Sequence, residues 1–298
     1  AAGIDEAEQA FVQRTAVTSP NTQLRLAQLK TLFNLSNFDL NVLMLVLAPE
    51  IDPRYERLYA FIQDDVTKKR PSVDLILKML SESLANKLNN HHALSQSSPL
   101  FQHHLLEKFH DKSSRHVTLL SQFLRPAPSL IPFLTAGNEL DVALQPFVVL
   151  HQTSSLPAAP WHNKPFISQL QQAANKQPHF AFYGRYGTGR LLAALHVAQH
   201  QKRPLLQLDL TKLADTPHQL EEIIPLLVRD GRFHNALLYI SGWDSILEDH
   251  HPPTALFQHL LDYPCTVFMA GEKEWQPRAR QQTMAAGTRR SILRVQVD

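Results

Sequence analysis

Gly184-Arg185-Tyr186-Gly187-Thr188-Gly189-Arg190-Leu191 lies between a short apolar run, His179 to Tyr183, and a run of helical period, Arg190 to His200. The chain has only nine glycines, and Gly184, Gly187 and Gly189 are three of them. In so glycine-poor a chain, such a cluster marks backbone that must turn tightly or come close to something. Its spacing is that of the phosphate-binding loop G-x-x-x-x-G-K-[ST], where glycines let successive N–H groups point into one concavity and the next helix adds its positive end. The side chains depart from that pattern. Arg190 replaces the Lys, and Leu191 replaces the hydroxyl residue that would hold Mg²⁺. Arginine is longer and planar, a poor substitute for a compact ammonium between phosphates. A tight strand-to-helix turn that binds nothing is the competing reading.

Downstream, apolar strands alternate with helices. Strands are expected at His179 to Tyr183, Leu205 to Leu210, Ala236 to Ile240, Thr266 to Ala270 and Ile292 to Val297. Helices are expected at Arg190 to His200, Pro217 to Arg229 and Thr254 to Leu261, with a partly helical basic stretch over 278 to 290. This order predicts five parallel strands covered on both faces, with ligands at the carboxyl ends. Ser241 and Gly242 stand at the Walker B positions, where hydrolysis needs Asp and Glu, and Gly271 stands where a polar sensor belongs. Asp244 reads as a cap for its own following turn. No catalytic residue is assigned in this segment. Arg289 and Arg290 are candidates for an arginine finger, with a solvated pair at a strand entrance as the preferred reading. His196 and His200 have i, i+4 spacing without an acidic partner, and the doublets His91-His92, His103-His104 and His250-His251 point their side chains apart. No metal site is read from them, and no G-x-S-x-G elbow is present.

Upstream, the first 80 residues read as helices in series. Ser36-Asn37-Phe38-Asp39 has the form of a capping box, followed by an apolar run that stops at Pro49 and predicts a helix buried nearly all round. Asp52 is the expected N-cap of the next helix, with Pro53 at its first position and Tyr55, Leu58, Tyr59 and Ile62 at i, i+3, i+4, i+7. Val73, Ile76, Leu77 and Leu80 follow a similar period. Residues 86 to 99 read as a loop. Leu105-Leu106 and Val117 to Leu124 are expected to form two strands around a polar turn at Asp111 to Arg115, with a last helix near Ser129 to Leu134. Helices followed by a two-stranded wing is the winged-helix order, which serves DNA or protein partners. Asp74 and Lys78 nearly cancel on the helix at 73 to 80, and Lys68-Lys69-Arg70 reads as a solvated turn, so DNA is the less favoured partner. The Pro-rich stretch 141 to 165 reads as an anchored linker, giving domains at 1 to 140 and 166 to 298.

Composition agrees with this division. The 298 residues suit two domains, and 29 basic against 27 acidic residues give a formal net charge of +2, too small for a global nucleic-acid or membrane field. Cys265 is alone, which excludes an intramolecular disulfide framework and fits a reducing cytoplasm. The longest strongly apolar stretch, Val42 to Ala48, is far short of the roughly 20 residues of a membrane span. No signal peptide is visible. The chain begins Ala-Ala-Gly, and its natural start is expected to have been processed or to lie further upstream.

A more specific signal lies in Leu47-Ala48-Pro49-Glu50-Ile51-Asp52-Pro53-Arg54-Tyr55-Glu56-Arg57-Leu58-Tyr59-Ala60, continued by Gln63-Asp64-Asp65-Val66-Thr67 and Arg70-Pro71-Ser72-Val73-Asp74-Leu75. This block resembles the N-terminal region of the bacterial AAA+ ATPases encoded with extracellular contractile injection systems, phage-tail-like particles of the antifeeding-prophage and virulence-cassette type. The similarity extends to Phe182-Tyr183-Gly184, Tyr239-Ile240-Ser241-Gly242-Trp243 and Ala270-Gly271-Glu272. The resemblance implies an α/β chain: a winged-helix-like domain followed by a degenerate P-loop (AAA+) five-stranded parallel sheet with flanking helices. It also implies a cytoplasmic hexamer-forming ATPase that serves particle assembly, cargo loading or recycling, with protein partners from the particle or its cargo. Family members continue into a helical lid and a second, intact AAA+ module, so a fragment is expected here. ATP or ADP is expected to bind weakly at Gly184 to Leu191, without tightly held Mg²⁺ and without hydrolysis. The alternative is a winged-helix DNA-binding regulator with a scaffold P-loop remnant; an active hydrolase using unusual residues is a third reading.

Overall fold

The computed structural model describes residues 24–110, 118–137, 139–152, 164–176, 178–213, 216–277 and 291–297. Its chain divides into two compact units. The first comprises Ala1–Leu100, Lys108–Arg125 and Leu134–Ala136; the second comprises Phe101–Glu107, Pro126–Phe133 and Gly137–Asp298. The expected boundary near 140 falls just past Gly137, where the chain enters the second unit for good.

The first unit opens with helices α1 (Arg25–Phe33) and α2 (Asn37–Ile51). The capping box is present: the Ser36 hydroxyl accepts from the Asp39 amide at 3.1 Å, and the Asp39 carboxylate accepts from the Ser36 amide at 2.8 Å. Two expectations for α2 need correction. It is not buried all round, since Met44 is 49% exposed while Val42, Leu43, Val46 and Leu47 face the core. It also runs through Pro49, which sits in its last turn. Helix α3 (Arg54–Ile62) starts one residue later than expected, so Pro53 and not Asp52 takes the N-cap position; the Asp52 carboxylate accepts from the Arg54 amide at 2.9 Å from one residue further out.

The helix that this period predicts is present, but most of the periodic side chains face solvent. Only Tyr59 is buried, its hydroxyl donating to the Leu45 carbonyl at 2.7 Å, and burial pushes its phenol up to about 12. Tyr55, Leu58 and Ile62 are 42–46% exposed. The turn beyond α3 is held by Gln63, whose amide nitrogen donates to the carbonyls of Lys68 and Arg70, both at 3.0 Å, while its oxygen accepts from the Ser72 amide at 3.2 Å. Helix α4 (Val73–Leu80) is capped by Ser72 and buries Val73, Leu75, Ile76 and Leu77. The first part of the segment 86 to 99 expected as a loop belongs instead to helix α5 (Leu84–His91), which Ser83 caps by accepting from the Asn86 amide.

After the short helix α6 (Pro99–Gln102), strands β1 (Leu106–Phe109) and β2 (Phe123–Pro126) pair as a two-stranded sheet. The second strand begins later than expected because Leu119–Ser121 close a 3-10 turn capped by Thr118. The polar turn at Asp111 to Arg115 lies outside the described residues. Helix α7 (Leu130–Leu134) falls where the sequence predicts it.

The second unit is built on a six-stranded sheet: β3 (Val148–His151), β4 (His179–Tyr183), β5 (Leu205–Asp209), β6 (Leu237–Ser241), β7 (Val267–Ala270) and β8 (Ile292–Gln296). Their order is β3-β5-β6-β7-β4-β8. Five strands are mutually parallel, as their apolar runs imply. Strand β3, inside the stretch expected as a linker, adds an antiparallel edge on β5. Helices α8 (Lys164–Ala174), α9 (Arg190–Gln201), α10 (Pro217–His234) and α11 (Thr254–Leu261) accompany the sheet. Phe180 of β4 stacks on Phe268 of β7 with ring centroids 5.2 Å apart, and both are fully buried, each contributing roughly 1.5–3 kcal/mol by burial. Among the described residues no helix is long and apolar enough to cross a membrane.

Candidate functional site

Register places the carboxyl ends of the parallel strands in a row: Asp209 opposite Ser241, Ser241 opposite Ala270, and Ala270 opposite Phe182. The glycine loop follows β4, which lies between β7 and β8, and leads into α9. It therefore stands over the crevice where open α/β sheets place ligands. Gly184, Gly187 and Gly189 all have positive φ, at 146°, 88° and 87°. Gly184 meets a second constraint, because a Cβ there would run into the backbone carbonyl of Val297 beyond β8. Its glycine is required by close packing within the fold, whatever the loop binds.

The side chains around the crevice are engaged with the protein itself. Arg190, at the lysine position, donates from Nη1 to the carbonyl of Gly271 at the end of β7. Leu191, at the missing hydroxyl position, packs half-buried against the sheet core. Ser241 Oγ donates to the Leu208 carbonyl at 3.2 Å. Asp244 accepts from the amides of Glu272 at 2.5 Å and Lys273 at 3.1 Å, capping the loop after β7 and not its own turn as expected. Gly271 fits beneath it: a Cβ there would sit 2.6 Å from Asp244 Oδ1. Asp209 accepts from the Thr211 amide and hydroxyl at 3.1 and 2.7 Å. Burial pushes the Tyr239 phenol up to about 12, with Arg190 opposing the shift and Asp209 reinforcing it. Arg185 is exposed, and Tyr186, at 89% exposure, stands clear of the crevice. Thr188 closes the turn by donating to the Arg185 carbonyl at 3.1 Å. Arg289 and Arg290 lie outside the described residues.

A polar cluster in the second unit has no counterpart in the sequence reading. Arg229 on α10, 1% exposed, donates from Nε to Asp230 at 2.9 Å, from Nη2 to Asp141 at 2.6 Å and from Nη1 to the His104 carbonyl at 2.9 Å. Asp230 also accepts from Ser129 Oγ at 3.1 Å and the Asp141 amide at 2.8 Å. The Arg229-Asp230 pair thus ties α10 to three segments distant in sequence, at His104, Ser129 and Asp141. Nothing in a linear pattern distinguishes this Arg-Asp pair from a solvated one. Of the histidines, His200 is exposed and His196 half-buried. Burial holds His103 down to about 4, with Arg232, His104 and His259 adding to the shift, and lowers His104 as well. Among the described residues no group of three His, Cys, Asp or Glu side chains is arranged to hold a metal ion.

In the first unit, a groove of about 1080 Å³ runs between the turn at 62–70, α4 and the wing. Its bases are largely neutralised in place. Lys68 lies 3.5 Å from Asp65, Arg70 lies 2.5 Å from Glu50, and Asp74 takes both Lys78 and Lys87 at 2.7 Å. Lys78 and Lys87 both lower the Asp74 pKa through hydrogen bonds, against the desolvation that raises it.

Helices and a two-stranded wing, followed by an α/β unit with a mostly parallel sheet, define the class of protein. The family model for the winged helix domain, variant, matches residues 1–148. No curated protein matches the chain.

Proposed function

We propose that this chain is the N-terminal part of a AAA+ ATPase associated with a contractile injection system. Its winged-helix unit recruits protein partners, and its α/β unit serves hexamer assembly and not hydrolysis. The observation that carries the reading is the set of bonds at the crevice: Arg190 to Gly271, Asp244 to Glu272 and Lys273, and Ser241 to Leu208. Arg190, at the lysine position, and Ser241, at a Walker B position, are both occupied with holding the fold together, as is Asp244 near them. The loop's place at the end of β4 supports a P-loop origin. The link to an injection system rests on the sequence block from Leu47 to Leu75, and a cytoplasmic role in particle assembly, cargo loading or recycling follows from it. ATP or ADP enters such a site weakly and without tightly held Mg²⁺, since the backbone amides and helix end persist while Leu191 offers no oxygen.

The DNA-regulator alternative is disfavoured by the ion pairs that neutralise Lys68, Arg70 and Lys78 around the wing groove. Nucleic-acid affinity depends on bases free to displace counterions from phosphates. Two assays on the purified chain test the proposal: ATP turnover at millimolar Mg²⁺, and DNA binding as a function of salt. Background turnover and no salt-dependent DNA binding are expected. Robust turnover that Gly189→Val abolishes contradicts the non-hydrolytic reading, and a steep salt slope on duplex DNA contradicts the protein-partner reading.

A further inference from the structure

We infer that the outward face of α3 is a contact between two copies of this chain, paired antiparallel about a two-fold axis. Apolar side chains dominate it: Phe61 is 83% exposed, with Tyr55, Leu58 and Ile62 beside it, Ile51 (73%) ahead of the helix and Val66 (83%) beyond it, while Arg54 and Arg57 are the charged residues among them. A monomer rarely exposes a contiguous apolar patch beyond a few hundred Å². Four of these side chains lie on α3, with Ile51 ending α2 and Val66 in the turn beyond.

Charge selects the occupant. Most ions beside the stripe are already matched within the chain: Arg54 with Asp52 at 2.6 Å, Arg70 with Glu50 at 2.5 Å and Glu56 at 3.9 Å, and Lys68 with Asp65 at 3.5 Å. Arg57 and Asp64 have no ion pair or side-chain hydrogen bond among the described residues. Both border one groove of about 640 Å³ whose wall includes Phe61 and Val66, so they share a face. Arg57 stands toward the start of α3 and Asp64 just past its end. In an isologous contact, residue i meets residue j and j meets i, so an antiparallel copy sets each Arg57 against the other Asp64 while the two Phe61 side chains cover one another. Lys69, also on the rim and without an ion pair, is offset by the second carboxylate that Arg70 faces, Glu56, so the face carries no net charge to oppose a second copy. Such a two-fold contact closes on itself and is distinct from the head-to-tail contacts of a ring.

Sedimentation velocity on the full chain between about 10 and 200 μM tests the pairing. A reversible monomer–dimer step, or a doubling of any larger assembly, is expected. Leu58→Ser with Phe61→Ser should abolish it with circular dichroism unchanged, because both side chains are exposed. Arg57→Glu alone or Asp64→Arg alone should weaken the step about tenfold or more, and the double reversal should restore it, since both pairs are then opposite again. No association step over this range overturns the inference. So does a step indifferent to the serine pair, or a double reversal that behaves like the sum of its singles. None of these outcomes depends on nucleotide, so they leave the proposed function standing or falling on its own assays.

Discussion

The two units break the usual rule of inside and outside in opposite ways. The second draws polar groups inward: Arg229 and Asp230 are fully buried, and the groups around the crevice bond to the carbonyls and amides of the fold. The first turns apolar groups outward along α3, where Tyr59 alone reaches the core. Each region carries a pattern whose common use is the reverse. In the loop whose glycines are spaced for phosphate, Gly184 packs on Val297 and Arg190 bonds to Gly271, and an i, i+3, i+4, i+7 period suited to a core mostly faces solvent. The contrast teaches that a local pattern fixes what an element is, while packing fixes which way it serves.

The contrast breaks most visibly at Arg229. Removing the guanidinium with Arg229→Ala leaves Asp141 and Asp230 buried without their cation, and should cost about 3–5 kcal/mol of second-unit stability. Urea unfolding followed by the emission of the buried Trp243 and Trp275 measures this, and a loss below about 1 kcal/mol would mean the cluster is incidental.

A smaller effect should appear with pH. His103 has a folded pKa of about 4 against an ordinary 6.5, so the unfolded chain binds the proton first as pH falls. The stability contributed by neutral His103 is therefore complete above about pH 6.5 and lost progressively toward pH 4, with His104 acting in the same direction. His103→Gln should flatten the thermal-stability profile over that window; an unchanged slope would show that burial of this ring is not what titrates.

The smallest effect belongs to α3. Phe61→Ser should change the stability of the chain at low concentration by no more than about 0.5 kcal/mol, because the side chain is exposed there. A loss of core-like size, measured by the same denaturant titration, would place Phe61 inside the fold and erase the contrast.

Much of the framework is legible in the residues. The capping box at Ser36, the parallel strands and the loop after the first of them follow from short-range chemistry that a linear pattern records. Helix α5 was hidden by its Asn- and His-rich composition, which resembles a loop until Ser83 caps it. Strand β3 was hidden by prolines around a four-residue strand that is supported by pairing with β5, distant in sequence, and by burial of Val148. The chemical losses at Arg190, Leu191, Ser241 and Gly242 were readable as substitutions, but the use to which Arg190 and Asp244 are put was not, because their partners lie 28 to 81 residues away. Arg229 gave no signal at all, since a buried and a solvated Arg-Asp pair read alike.

The central claim is that the crevice is held by the protein's own side chains, with Arg190 bonded to Gly271 where a nucleotide-binding loop would keep its cation for phosphate. Calorimetric titration of the chain with ATP at millimolar Mg²⁺ tests it most directly. A dissociation constant on the order of 100 μM or weaker, little changed by omitting Mg²⁺, is predicted. Mg²⁺-dependent binding near ~1 μM, which corresponds to about 8 kcal/mol, would contradict it.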